Sequence, residues 1–324
     1  MRVGDFSMGM KVDRKAAIKK LRSFVLPPRA DIEHFREIFD KKFETQFLPN
    51  NIELVETVLG GIPCDILIPE IFSSNRTLLY IHGGFFVAGS RRSYRSFCAS
   101  FANTACSRLI VPEFRLAPNH PFPASSDDCL SVLKSIFSDK GDVVLVADGT
   151  GASIALSLIL RLDSEQRKRI RDIVLFSPCI DFSPKNAFLN SRKSDEIIST
   201  EFLHRVVDLY TYESNLQNPL ISTLEASENQ LENFPPTFIQ LGEKEILLKP
   251  TQEFCKKLTD FSINCTLDVW QDMMFMFQLA DEFLPESHLA LEKAGQYVRR
   301  REELTAEEKA ERLKILKKND IGDI

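Results

Sequence analysis

The chain has 324 residues, with 41 Lys and Arg against 46 Asp and Glu, and a net charge of -5. Hydrophobic residues at 44% and charged residues at 27% are ordinary for a globular protein, and they exclude disordered, collagen-like and disulfide-scaffold chains. The balance also shows no excess of basic residues that would favour nucleic-acid binding. Phe is abundant and His scarce, at 25 against 5, so side chains suited to proton transfer are few.

The N-terminal segment lacks the apolar core of a signal peptide, and residues 152–160, the longest strongly apolar run, are about half the length needed to cross a bilayer. The 7 cysteines show no paired metal-binding spacing, so we expect neither disulfides nor a metal site. These features predict a cytoplasmic protein without a membrane span, and nothing in the sequence calls for a cofactor.

Two amphipathic stretches in residues 1–50, Arg14–Phe24 and Ile32–Phe39, predict N-terminal cap helices. From about residue 51, short apolar runs alternate with helix-like stretches, as in a doubly wound α/β sheet. The predicted strands are 78–81, 109–114, 143–146, 173–176 and 237–241, and the predicted helices are 126–138, 152–162 and 251–259.

Two further regions depart from this alternation. Residues 184–232 are polar and helix-like, which predicts a cap insertion over the carboxyl edge of the sheet, where ligands bind in such folds. Residues 301–324 contain Thr305 and Glu308 at capping-box spacing and predict a charged helical extension. The α/β core is therefore predicted over residues 51–300.

Several motifs occur in a fixed order along the core. The segment His82-Gly83-Gly84-Phe85-Phe86 follows a predicted strand, and residues 113–124 read EFRLAPNHPFPA. Both resemble the signatures HGGGF and DYRLAPEHPFPA of the hormone-sensitive-lipase-like esterases in the α/β-hydrolase superfamily. The resemblance continues in residues 147–152, 177–181, 235–247 and 270–277. It implies an eight-stranded, mostly parallel sheet with helices on both faces, a helical cap, and dimerisation through the last strand and helix.

The same resemblance places the catalytic triad on three positions, two of which lack the required chemistry. In this family a serine attacks the ester, a histidine removes its proton and an acid orients the histidine. Gly149 stands at the nucleophile position and Phe275 at the histidine position, while Glu245 keeps a carboxylate. The resemblance therefore implies a degenerate triad, and glycine relieves the backbone strain of the nucleophile turn.

The resemblance also implies an oxyanion hole and a pocket. The oxyanion positions are Gly83, Gly84, Phe85 and Thr150. Since Phe85 replaces a glycine, we expect this turn to be distorted or occluded. The expected pocket residues are His82, Phe86, Asp148 and Phe277.

The leading hypothesis is a catalytically inactive hydrolase, a pseudo-esterase, that binds a small hydrophobic or carboxylate ligand if the pocket is open and a protein partner if it is plugged. The alternative is an active carboxylesterase or lipase-like hydrolase that cleaves short acyl esters with a non-standard set of catalytic residues. Its substitute groups would come from Thr150, His82, His120 and Asp272. A third hypothesis is a scaffold acting through the cap or the C-terminal helix.

Overall fold

The computed structural model describes residues 13–27, 30–43, 48–72, 76–139, 141–184 and 194–299. The predicted extension over 301–324 lies outside these residues, as does part of the predicted cap insertion, 185–193. In the described ranges, no helix combines the length and the apolar character that crossing a bilayer requires.

Eight strands form one sheet in the order β1-β2-β4-β3-β5-β6-β7-β8. All neighbours pair in parallel except at β2, which is antiparallel to both β1 and β4. The predicted mostly parallel, eight-stranded sheet is confirmed. The strands are β1 Ile52–Leu59, β2 Ile62–Pro69, β3 Arg76–Ile81, β4 Arg108–Pro112, β5 Asp142–Asp148, β6 Ile170–Phe176, β7 Thr237–Gly242 and β8 Cys265–Trp270.

Helices follow or separate most of the strands. The helices are α1 Arg14–Arg22, α2 Ile32–Phe43, α3 Arg95–Ala105, α4 Ala124–Ile136, α5 Gly151–Arg161, α6 Ser164–Arg167, α7 Thr200–Tyr210, α8 Leu248–Asp260 and α9 over residues 285–299. Four short 3-10 turns complete the described elements. The buried core runs along the central strands, where β3 and β7 are buried at every position.

The carboxyl ends of the parallel strands place the motifs at one edge of the sheet. The glycine-rich turn begins after β3, Gly149 follows β5, Ser177 follows β6 and Glu245 lies three residues after β7. Phe275 comes five residues after β8, the edge strand. Parallel strands bring their carboxyl ends together, and this explains how segments distant in sequence meet there.

Cap elements from both predicted regions lie over this edge. Leu21 and Phe39, from the first 50 residues, line the same cavity as Gly149. Phe202 of α7 packs edge-on against Phe85, with 4.5 Å between ring centroids. The cap therefore closes over the glycine-rich turn and the end of β5.

Candidate functional site

Gly149 forms a tight turn between β5 and α5. Its φ is +48°, in the left-handed region that glycine adopts at little cost. Its N–H donates to the carbonyl of Phe176 at 3.0 Å. This backbone would project a side chain toward the cap side of the sheet edge, but glycine supplies no atom that could react.

Phe275 faces Gly149. A Cβ built on Gly149 would lie 3.6 Å from the ζ carbon of Phe275, and no other atom of the described residues lies within 4 Å of it apart from those of the adjoining residues. Phe275 is buried, and its ring centroid lies 5.9 Å from that of Phe85. The structure thus brings the predicted nucleophile and histidine positions into contact, and the contact holds neither a nucleophile nor a base.

Glu245 connects to this contact through Ser177. One carboxyl oxygen, Oε1, accepts from the Ser177 hydroxyl at 2.8 Å and from the Gly242 N–H at 2.5 Å. The same hydroxyl accepts from the Met276 N–H at 3.1 Å, next to Phe275. The three predicted triad positions therefore lie together. In a catalytic triad the acid would bond a histidine ring, whereas here Glu245 bonds the hydroxyl of Ser177.

Burial raises the pKa of Glu245 to about 8. Its other oxygen, Oε2, is buried without a hydrogen-bond partner among the described residues. A carboxyl group in such surroundings is mainly protonated at neutral pH because its charged form is poorly solvated. Glu245 is thus a neutral hydrogen-bonded group, whereas an acid that stabilises an imidazolium must be ionised.

The glycine-rich turn keeps its backbone donors at a common cavity. The N–H groups of Gly84, Phe85 and Thr150 donate to no acceptor in the described part of the chain, and all three residues line the cavity above Gly149. The expectation of a distorted or occluded turn stays a prediction. Phe85 adopts a φ of +59°, a left-handed conformation that costs a non-glycine residue on the order of 1 kcal/mol.

The cavity itself is small. Its volume is about 20 Å³, room for about one water molecule. Its walls are Leu21, Phe24, Phe39, Gly84, Phe85, Tyr94, Asp148, Gly149, Thr150, Phe275, Met276 and Leu279. Side chains of the cap and of the Phe275 segment thus fill most of the space above the turn.

Three of the expected pocket side chains lie elsewhere. His82 stacks between Tyr94 and Phe114, and burial lowers its pKa to about 4. Phe86 stacks on Tyr210, and Phe277 is fully buried beside Trp270. These three side chains pack into the core, and the backbone has a positive φ at Phe86 and at Met276, the residue before Phe277. Gly83 also lies outside the cavity walls.

Asp148 is the one expected pocket residue of this group that does line the cavity. Its carboxylate accepts from the hydroxyls of Tyr80 and Tyr94 and from the Gly83 N–H, at 2.7, 3.1 and 2.8 Å. Burial raises its pKa to about 6. These contacts hold the end of β5 to the glycine-rich turn and position both.

The substitute groups considered for hydrolysis are dispersed. Asp272 is exposed, pairs with Lys244 at 2.7 Å and does not line the cavity. His120 is exposed on the surface. Thr150 does line the cavity, but its hydroxyl accepts the N–H of Phe86 at 3.1 Å.

Sequence reasoning missed two contributors. Ser177 lies in the motif segment 177–181, for which the sequence predicts no catalytic role, although its place directly after a buried strand is a signal that it reaches the site. The filling side chains of the cap, Leu21, Phe24 and Phe39, carry no chemical motif, and only the amphipathic pattern of their segment pointed to burial.

The family model and the named relatives that match this chain all point to the same family, the α/β hydrolases. A family model described as alpha/beta hydrolase fold matches residues 78–279. An esterase from Acinetobacter venetianus is 28% identical over 230 residues, covering 69% of this chain and 75% of the relative. An acetyl-hydrolase from Streptomyces hygroscopicus is 28% identical over 228 residues, covering 69% and 75%.

A solved structure shows the same fold. The crystal structure of an esterase from the bacterial hormone-sensitive lipase family matches with a TM-score of 0.78 at 24% identity. The match covers 89% of this chain and 97% of the esterase.

Proposed function

Since this chain belongs to the alpha/beta hydrolase fold family, we propose that it is a catalytically inactive member, one that keeps the hydrolase scaffold for binding and does not cleave esters. Ester cleavage by this fold needs a nucleophilic oxygen and a base that removes its proton. Removing either group in a serine hydrolase lowers turnover by on the order of a millionfold. This chain lacks both at the positions that the motifs assign.

The contact between Gly149 and Phe275 carries the proposal. The two positions face each other across 3.6 Å, measured from a Cβ built on the glycine, so the motif assignment and the geometry agree. The acid position is also unsuited to the triad role, because Glu245 bonds Ser177 and its pKa is raised to about 8. These changes remove the proton relay while leaving the fold intact.

What the site binds is limited by the filled cavity. A space of about 20 Å³ is far below the roughly 300 Å³ or more of a pocket for a typical small-molecule ligand. In the closed form the scaffold therefore favours a protein partner. If the cap moves, the N–H groups of Gly84, Phe85 and Thr150 favour an oxyanion such as a carboxylate, with aromatic walls around its apolar part.

The second candidate function is the hydrolysis of short acyl esters, and the names of the relatives favour it. The two relatives described above are an esterase and an acetyl-hydrolase. In this chain such activity would depend on a hydroxyl outside the motif position. Thr150 lines the cavity and lies next to Gly149, and the buried Ser177 donates its hydroxyl to Glu245, so these two residues are the candidates for that hydroxyl.

Purified protein incubated with p-nitrophenyl acetate and butyrate separates the two functions. We expect no release of nitrophenol above a heat-denatured control, and no adduct with a serine-directed phosphonate by mass spectrometry. Turnover that is retained in Gly149→Ala and lost in Thr150→Val or Ser177→Ala would refute the inactive assignment and support the hydrolase.

A further inference from the structure

Helix α1 helps to close the cavity, yet few of its side chains are buried. Its Leu21 and the following Phe24 form part of the cavity wall. Of the 9 residues of α1, only Ala17 and Leu21 are buried, whereas α7, the cap helix that contacts Phe85, buries 6 of its 11 residues. Because local stability depends on buried apolar contacts, α1 is the more easily detached of the two helices.

Charged contacts with one residue, Glu196, hold one side of α1. Nη2 of Arg14 pairs with the Glu196 carboxylate at 2.5 Å, and Nε of Arg22 donates to the Glu196 backbone carbonyl at 2.8 Å. Arg22 is exposed, and Arg14 and Glu196 are partly exposed. We call Arg14, Arg22 and Glu196 the clasp. Water and salt compete with contacts of this kind, so the clasp is weaker than its short distances suggest.

The other side of α1 is also held by polar groups. Lys20 pairs with Asp281 and Glu282 at 3.7 and 3.3 Å, and the N–H of Asp13 donates to the Phe283 carbonyl at 3.1 Å. These contacts are longer than those of the clasp. Polar contacts thus attach α1 to the core on both sides, and the clasp supplies the shortest of them.

The chain that follows α1 is fixed more firmly. Leu26 is fully buried, and Arg205 of α7 donates to the backbone carbonyl of Pro27. Arg36 of α2 donates to the backbone carbonyl of Val87 at 2.6 Å, just after the glycine-rich turn. Helices α2 and α7 are therefore tied to their surroundings independently of the clasp, and α1 can swing about the residues between its end and Leu26.

We propose that α1 is a gate that opens by itself when the clasp is released, and that it admits a carboxylate ligand to the N–H groups of Gly84, Phe85 and Thr150. This inference rests on the binding function proposed above. Opening removes Leu21 from the cavity wall while Phe275 stays in place. Since the closed cavity has a volume of about 20 Å³, only the open fraction of the protein binds, and the apparent affinity falls with that fraction.

Hydrogen exchange of the full chain, followed by mass spectrometry of its peptides, tests the gate. In the clasp variant Arg14→Gln, Arg22→Gln, the amides of α1 are expected to exchange about tenfold faster than in the wild type, because two partly exposed charged contacts together are worth about that factor. Raising the salt concentration should speed the exchange of α1 in the wild type and change it less in the variant. The matched control is Arg108→Gln, Arg299→Gln, which removes two arginines paired with acidic side chains outside the cap, at 3.0 and 2.8 Å. Its α1 amides should exchange like those of the wild type.

Two results of this experiment would overturn the gate. One is equal exchange of α1 in the clasp variant and the control variant, and the other is faster exchange of α1, α2 and α7 together. The amides of β3 and β7, which are buried at every position, should keep their wild-type rates in both variants. Their protection shows that a faster α1 reports local opening of a folded protein.

Calorimetric titration with benzoate separates the gate from the binding function on which it rests. The clasp variant is expected to bind benzoate about tenfold more tightly than the wild type, because its open fraction is larger by that factor. Faster exchange of α1 without benzoate binding would support the detachable helix and refute the carboxylate ligand. Equal benzoate affinity in the clasp variant and the wild type would refute α1 as the entrance and leave the carboxylate ligand standing.

Discussion

A Cβ built on Gly149 lies 3.6 Å from the ring of Phe275, and in the part of the chain that the structure describes it has no other contact within 4 Å beyond its adjoining residues. A serine side chain therefore fits at this turn, and an imidazole at position 275 would lie beside its hydroxyl. The unpartnered N–H groups of Gly84, Phe85 and Thr150 stand at the same cavity. The site thus lacks two side chains while its backbone donors remain.

The double variant Gly149→Ser, Phe275→His is expected to hydrolyse p-nitrophenyl acetate at least about 100-fold faster than either single variant, because a positioned general base contributes about that much or more. Initial rates of nitrophenol release measure this. The control Gly149→Ala, Phe275→His keeps the imidazole without the hydroxyl and should remain at the background rate. Equal rates in the control and the double variant would show that serine at 149 is not the nucleophile.

Gly84 is expected to be far less tolerant of alanine than Gly61, although both have positive φ, at +89° and +83°. A Cβ at Gly84 would clash with the carbonyl group of Ala88, whereas a Cβ at Gly61 would have no described atom within 4 Å apart from its chain neighbours. Gly61→Ala should therefore cost about 1 kcal/mol of unfolding free energy from the backbone conformation alone, and Gly84→Ala about 3 kcal/mol or more. Urea unfolding of the two variants measures the difference, and equal losses would contradict the close approach at Gly84.

The free energy of unfolding is expected to fall as pH rises from 5 to 8, in part because of Glu245. Burial raises its pKa from 4.5 to about 8, so the folded state binds a proton that the unfolded state has released. That contribution is complete below the unfolded pKa and is lost as pH rises through the folded one. The loss between pH 5 and 8 amounts to about 3 kcal/mol.

Glu245→Gln keeps a neutral hydrogen-bonding group and should remove this part of the pH dependence. Urea unfolding at several pH values measures it. Asp148, whose pKa is raised to about 6, contributes a slope of the same sign that remains in the variant. Identical slopes in wild type and Glu245→Gln would mean that Glu245 is ionised in the folded protein.

Much of the core was predictable because buried parallel strands read as continuous apolar runs. The runs at β3, β5 and β7 are buried along nearly their whole lengths. β1 and β8 lie at the two edges of the sheet, and all of their positions are half-buried or exposed. Their weaker pattern explains why no apolar run marked them, and only the family resemblance implied eight strands.

The site was predictable in position and less so in its contacts. Motif order identified Gly149, Glu245 and Phe275, which do lie together. Side-chain direction depends on local backbone turns that carry no sequence motif, such as the positive φ of Phe86 and Met276, at 63° and 53°. For this reason the motifs could not predict that the side chains of His82, Phe86 and Phe277 pack into the core and do not line the cavity. Nor could they predict that Ser177 contacts Glu245.

Removing the Phe275 ring is expected to create a binding site for benzoate. Phe275→Ala leaves a cavity of phenyl size beside the N–H groups of Gly84, Phe85 and Thr150, and engineered apolar cavities of this kind bind aromatic ligands. The variant should lose about 3 to 5 kcal/mol of unfolding free energy and regain part of it when benzoate binds. Thermal unfolding with increasing benzoate measures both effects.

The matched control ligand is toluene, which has the same ring and no carboxylate. If the backbone donors of the glycine-rich turn hold the oxyanion, benzoate stabilises Phe275→Ala more than toluene does, because charge-assisted hydrogen bonds add to the apolar contact. Phe101→Ala is the control variant, since Phe101 is fully buried but does not line this cavity. That variant should show no preference for benzoate over toluene. Equal stabilisation of Phe275→Ala by the two ligands would mean that the glycine-rich turn does not bind anions. The proposal that the site binds a carboxylate would then fail, and the proposal that the closed protein binds a protein partner would remain.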